Sequence, residues 1–150
     1  MITKEINSKT VNDTLSLAKK VGSKLKGGEI IELIGDLGSG KTTFVTGLVE
    51  GTGSKDTVSS PTFMIKKEYV AKDLIIYHFD FYRLDKSDLI VHELEDIISQ
   101  PNSVVVIEWP KVIKLPNMGS RIIFEFDYEE DINKRIIKIN YDSKLGYLLN

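Results

Sequence analysis

The stretch Ile30-Ile31-Glu32-Leu33-Ile34-Gly35-Asp36-Leu37-Gly38-Ser39-Gly40-Lys41-Thr42-Thr43 decides the reading of this chain. A short apolar run of strand type leads into three glycines within six residues, and an apolar-periodic segment follows from Lys41 to about Gly51. Positions 35–42 satisfy the pattern G-x-x-x-x-G-K-[ST] in the strand–loop–helix context that gives it meaning. Glycines at 35, 38 and 40 let the backbone curl with no Cβ in the way. The main-chain N–H groups then converge on a concave anion site at a helix N-terminus. Lys41 reaches the terminal phosphates, and the Thr42 hydroxyl can ligate Mg²⁺.

Outward from this loop, apolar periodicity places further elements. Val11, Leu15, Ala18 and Val21 predict a helix from Val11 to about Leu25. Ser8 or Thr10 can cap it, and Gly27-Gly28 ends it. Glu29–Ile34 is a buried strand, and the helix after the loop turns Phe44, Val45, Leu48 and Val49 inward. A hairpin is expected over Thr62–Asp80, turning at Ala71-Lys72-Asp73. A helix from about Lys86 to Ser99 carries a mixed face including Leu89 and Ile97. Ser103–Glu108 is a buried strand. Arg121–Tyr128 and Lys134–Tyr141 are amphipathic strands joined by an Asp131-Ile132-Asn133 turn. Strands alternating with helices predict an α/β fold, the three-layer P-loop NTPase fold, with a mainly parallel central sheet and antiparallel additions. We read one domain over residues 1–150.

Composition narrows the chemistry. With 20 basic and 22 acidic residues the formal charge is −2, no electrostatic basis for general nucleic-acid or membrane binding. There are no cysteines, which excludes a thiol nucleophile, a disulfide frame and cysteine-ligated metal. The longest purely apolar runs, Leu74–Tyr77 and Val104–Ile107, are far short of the roughly 18 residues of a spanning helix. With no signal-type N-terminal stretch, a cytoplasmic, non-membrane protein is expected.

A phosphate loop needs carboxylates at neighbouring strand ends to complete a metal shell. Asp80 and Glu108, each ending an apolar strand, are the candidates. No D-x-x-G occurs, and Asn133-Lys134 is followed by Arg135-Ile136 without the acid of a guanine-specificity motif. ATP is therefore expected over GTP. A small-molecule kinase is the alternative, although the three arginines, Arg83, Arg121 and Arg135, supply no evident lid. A nucleotide-dependent binding module without turnover is a third class.

Further blocks follow the loop in order: Ser59-Ser60-Pro61-Thr62-Phe63, His78-Phe79-Asp80-Phe81-Tyr82-Arg83-Leu84 and Ile107-Glu108-Trp109-Pro110. As a set they resemble the TsaE (YjeE) family, small bacterial ATPases needed to make threonylcarbamoyladenosine beside the anticodon of tRNAs reading codons that begin with A. The resemblance implies partnership with TsaD and TsaB, and contact with tRNA only through that complex. It implies ATP on Asp36, Leu37, Gly38, Ser39, Gly40, Lys41, Thr42 and Thr43, and Mg²⁺ on Thr42 and Glu108 with Asp80 close by. Lys41, Asp80 and Glu108 would be catalytic, one of the two acids orienting the attacking water. Ser60-Pro61-Thr62 would be a switch near the γ-phosphate, and Thr10 with Lys134 or Arg135 would line the adenosine. Trp109 is expected at the rim or in the core, His78 packed in its strand, and Arg83 paired with Asp80 or Glu108 or else acting on the phosphates, the pairing being favoured. Lys111, and the lack of a glycine in Val112–Leu115, depart from the family pattern. With no evident arginine finger, hydrolysis by the chain alone is expected to be slow.

Overall fold

Seven strands form along the chain in a computed structural model, which describes residues 1–61, 64–84, 88–117, 119–131 and 133–150. They are β1 (Ile2–Ser8), β2 (Ile30–Ile34), β3 (Lys66–Val70), β4 (Ile75–Asp80), β5 (Ser103–Glu108), β6 (Arg121–Tyr128) and β7 (Arg135–Tyr141). The helices are α1 (Val11–Gly22), α2 (Lys41–Gly51) and α3 (Asp88–Ile98). One sheet of order β1-β7-β6-β2-β5-β4-β3 results. Its centre, β6-β2-β5-β4, is parallel. The flanking β7, β1 and β3 join antiparallel. This is the expected mixed architecture.

Burial explains the layering. Every residue of β5 is buried, as a central strand covered on both faces must be. Val104 and Val106 point into a core shared with α1 and α2, and Val105 and Ile107 into a second core under α3. Phe44 of α2 is fully buried, its ring 4.5 Å from Phe124 and 5.7 Å from Phe126. Burying such a ring contributes about 1.5–3 kcal/mol, and here it fixes the helix behind the phosphate loop onto the sheet. At the C-terminus, a 3₁₀ segment (Ser143–Leu149) packs Leu145, Leu148 and Leu149 into the first core. Its Tyr147 hydroxyl donates to Glu29 Oε1 at 2.7 Å. Glu29 also accepts the Lys26 and Gly27 amides, tying down the turn before β2.

Several sequence expectations shift. β1 was not anticipated: Ile2-Thr3-Lys4-Glu5-Ile6-Asn7-Ser8 is almost wholly exposed, and its main-chain pairing to β7 holds it at the sheet edge. α1 ends at Gly22, three residues early. Its buried face is Thr14, Ala18 and Val21, while Val11 is exposed. On α3, Leu94 and Ile97 are buried and Leu89 is 79% exposed, so Leu89 is not on the packed face. The strand after the last hairpin begins at Arg135 instead of Lys134. Expectations resting on Thr62, Phe63, Lys86 and Ile132 lie outside the described residues. Among the described residues no helix is long and apolar enough to cross a membrane.

Candidate functional site

The carboxyl ends of β2, β4 and β5 lie together, where open parallel sheets bind ligands. β2 runs into the loop 35–40, and Gly38 and Gly40 take positive φ values of 75° and 111°, a region where a Cβ would be strained. Gly40 sits at the N-cap of α2 and supplies no side-chain cap. The first-turn amides of α2 are therefore left to an external acceptor, and the helix dipole favours an anion there. The first turn contains no acidic residue.

A hollow of about 210 Å³ opens over these amides, lined by the loop from Leu37 to Thr43 and by Ser60, Asp80, Glu108 and Trp109. Lys41 is buried. Its Nζ donates to the Gly35 carbonyl and, at 3.0 Å, to the Asp36 carbonyl, and lies 4.6 Å from the centroid of the Trp109 ring. Burial pushes its pKa down, while Glu108, Asp80 and Asp36 pull it back up. The ammonium is thus held among acids and carbonyls at the floor of an anion site.

Asp80 and Glu108 are register partners across β4 and β5, so the two carboxylates stand side by side. Burial raises the Asp80 pKa. The Tyr82 N–H, 3.0 Å from Oδ1, lowers it, and the neighbouring Glu108 raises it again. Glu108 is buried, and its Oε2 lies 3.2 Å from Nε2 of the fully buried His78. Thr42 lines the same hollow. Among the described residues no group of three or more His, Cys, Asp or Glu could hold an ion unaided. Two carboxylates and a hydroxyl beside an anion cradle suit Mg²⁺, which takes few protein ligands and completes its shell with phosphate and water.

A second hollow of about 170 Å³ lies across the loop and shares Gly38, Ser39, Gly40 and Thr43 with the first. Thr10, Val11, Thr14, Asn133 and Arg135 complete its wall. Thr10 also caps α1, its hydroxyl accepting from the Asp13 amide at 3.1 Å. Of the two basic candidates, Arg135 lines this hollow, whereas Lys134 is exposed and does not.

The loop's outer carbonyls are held from β6 and β7. Arg135 Nε donates to Ser39 O at 2.9 Å and Nη2 to Gly38 O at 3.3 Å. The guanidinium lies 4.3 Å from the centroid of the Tyr128 ring, and the Tyr128 hydroxyl donates to Leu37 O at 2.9 Å. On the opposite wall, the Tyr69 hydroxyl donates to Ser59 O at 3.0 Å and accepts the Ser59 amide at 3.3 Å. That pins the described part of the expected switch, with Ser60 in the hollow; Thr62 is outside the described residues. Trp109 stands at the rim, half-buried, its ring centroid 4.9 Å from that of Tyr82. Arg83 is exposed, and among the described residues it pairs with neither Asp80 nor Glu108. The expected ion pair is therefore not formed.

Sequence reading missed three residues here: His78 against Glu108, Tyr128 under Arg135, and Tyr69 under Ser59. One signal existed for the first. Alternation places His78 and Asp80 on the same face of β4.

The chain matches the family model described as "Threonylcarbamoyl adenosine biosynthesis protein TsaE" over residues 8–137. It is 38% identical over 130 residues to the tRNA threonylcarbamoyladenosine biosynthesis protein TsaE of Bacillus subtilis, covering 81% of this chain and 78% of that one. The Rickettsia prowazekii protein of the same name is 33% identical over 142 residues, 93% of this chain and 95% of its own. The crystal structure of Bacillus subtilis YdiB superposes with a TM-score of 0.75 at 27% identity, covering 98% of this chain and 91% of that one. Loop, paired strand-end acids and matched relatives agree: the chain belongs to the TsaE family.

Proposed function

We propose that this chain is an ATP-binding, slowly hydrolysing ATPase that acts with TsaD and TsaB in threonylcarbamoylation of the adenosine beside the anticodon, meeting tRNA only through that complex. It works in the cytoplasm as a single domain. The observation that carries this reading is the pairing of Asp80 and Glu108 across adjacent strand ends, facing Lys41 and the uncapped N-terminus of α2 in one hollow.

The chain's groups divide the work as follows. Main-chain amides of Gly38 and of residues 40–42 bind phosphate oxygens in a pre-formed cradle, so they need little reorganisation as charge moves. Lys41 neutralises the β- and γ-phosphates. Thr42 and Glu108 hold Mg²⁺, which when bound neutralises charge on the transferring phosphoryl group. Asp80, held by the Tyr82 amide, orients the attacking water. Thr10, Thr43 and Arg135 line the nucleoside side of the loop.

Arg121 is engaged with Glu32 at 3.1 Å, Arg135 lies behind the loop, and Arg83 is exposed and does not line the hollow, so none of the three serves as an arginine finger. The slow step is therefore completed by the partner complex, which orders the Ser60 segment. Family membership does not favour the small-molecule kinase alternative.

The test is phosphate release by the purified chain with and without TsaD and TsaB, next to calorimetric binding of MgATP and MgADP. Binding at micromolar to submillimolar concentration and partner-stimulated release are expected. A chain that binds neither nucleotide at millimolar concentration refutes the reading. Equal release with and without partners refutes the coupling.

A further inference from the structure

His78 has no part in the scheme above, yet it is 0% exposed and its Nε2 lies 3.2 Å from Glu108 Oε2. From this we infer that His78 is the positioning residue of Glu108: it holds one carboxylate oxygen so that the other faces the phosphate hollow. The inference rests on the nucleotide reading given above.

The register makes the contact possible. His78 is opposite Val106 and Asp80 is opposite Glu108 on parallel neighbours. All four side chains lie on one face of the sheet by strand alternation, the face that carries α2 and the loop. Oε1 of Glu108 takes no hydrogen bond among the described residues, so one oxygen is committed and one is free.

The ring's other nitrogen indicates which proton is used. Nδ1 is buried without a partner. A proton on Nδ1 would be a buried donor with nothing to accept it and would leave two acceptors facing each other at Nε2 and Oε2. A proton on Nε2 removes both faults and makes the ring a donor to the carboxylate. Tyr69 closes the pocket behind the imidazole, with ring centroids 6.2 Å apart, which restricts ring rotation. Outer hydrogen bonds of this kind orient metal ligands, and their loss lowers metal affinity by about 10–100-fold.

The test is the ratio of ADP affinity with Mg²⁺ to ADP affinity in EDTA. His78→Phe is expected to lower that ratio about 10-fold or more while leaving the EDTA value within about 3-fold. His78→Gln, which places an amide N–H near the position of Nε2, is expected to recover most of it. An unchanged ratio in His78→Phe, or equal loss with and without metal, overturns the inference.

Should His78→Phe not fold, ¹⁵N spectra of the wild-type ring decide. Of the two histidines, the buried one is expected as the Nε2–H form, and an Nδ1–H form overturns the inference. Wild-type protein that binds no ADP at all removes the nucleotide reading and this inference with it. Wild-type binding with an unaltered ratio in the variant removes this inference alone.

Discussion

Arg135 and Tyr128 should determine how ordered the phosphate loop is before any nucleotide arrives. Arg135 donates to the carbonyls of Ser39 and Gly38, at 2.9 and 3.3 Å, and Tyr128 donates to that of Leu37 at 2.9 Å. With these carbonyls held from behind, the Gly38 and Gly40 amides of the same stretch are left for the hollow, while the Ser39 amide turns back to Asp36 O. Arg135→Ala removes both of its bonds to the loop carbonyls. At about 1 kcal/mol each for a partly solvated site, the loss is about 2 kcal/mol, or roughly 30-fold in the equilibrium between ordered and open loop. Tyr128→Phe removes one bond, about 1 kcal/mol, or roughly 5-fold.

The readout is hydrogen exchange of the Ser39 amide, which is bonded to Asp36 O at 3.0 Å, measured without nucleotide. Exchange should accelerate by about those factors in each variant, and ADP affinity should fall in parallel. Tyr128→Leu combined with Arg135→Ala should show a coupling of about 0.5–1 kcal/mol, since the ring under the guanidinium is lost as well. If Arg135 served only as a nucleotide contact, exchange in the ligand-free variant would match the wild type. That result would refute the bracing argument.

Other outcomes follow from the same geometry. Asp80→Asn should raise the melting temperature of the ligand-free protein at pH 7. Burial holds the folded pKa above the unfolded one, so the ionised carboxyl opposes folding and stability grows as pH falls through the folded value. The advantage of Asn should therefore shrink on acidification, and a variant no more stable at pH 7 counts against it. Gly47→Ala should destabilise, because its Cβ would meet Leu15 O at 2.7 Å and Ala18 Cβ at 2.8 Å where α1 and α2 touch. An overpacking loss of about 1–3 kcal/mol exceeds the roughly 1 kcal/mol gained in helix propensity, and calorimetry should show a melting point lower by several degrees. The single tryptophan lies 4.6 Å from the Lys41 ammonium, so ADP should change Trp109 emission in the wild type and not in Lys41→Met. Mn²⁺, as a spectroscopic substitute for Mg²⁺, should bind far more weakly without nucleotide than with it, by the same factor that the metal adds to nucleotide affinity.

Local pattern revealed the parts of the fold that are buried on a regular period. β5 is apolar throughout because both its faces are covered. α2 shows its inward residues at helical spacing, and the loop between β2 and α2 is written in glycines that the backbone conformation needs. Where pairing and not burial holds an element, the signal fades. β1 has charged and polar residues on both faces, and its place at the edge depends on hydrogen bonds to β7, far away in the chain. At the site, residue types and strand ends pointed to Lys41, Thr42, Asp80 and Glu108, and the hollow gathers all four. The contacts of His78, Tyr69, Tyr128 and Arg135 depend on register between strands and on a loop's return path, neither of which a local window contains. The same limit explains Arg83. Its nearness to Asp80 in sequence suggested a pair, but the turn after β4 carries the guanidinium into solvent.

Unfavourable local features concentrate at this end of the sheet. Trp109 is the one described non-glycine residue with positive φ, at 57°. The two described buried side-chain atoms without a hydrogen-bond partner, Ser39 Oγ and His78 Nδ1, both lie in or behind the loop. Burial depresses the Lys41 pKa and raises that of Asp80. Burial also raises the pKa of Glu32 and Tyr147 elsewhere, but among the described residues the core away from the site repeats neither the non-glycine positive φ nor the unpartnered buried atoms, and strain of this kind persists where ligand contacts use it. The signs of the charges say what those contacts are. A phosphate chain near Lys41 offsets its desolvation but brings negative charge toward Asp80 and Glu108. A divalent cation between the acids relieves their repulsion but stands close to an ammonium. Each alone trades one penalty for another, and the two together satisfy both. The paired acids and the lysine are thus complementary to a metal–phosphate unit more than to either component, and that is the physical reason metal and nucleotide should bind as one.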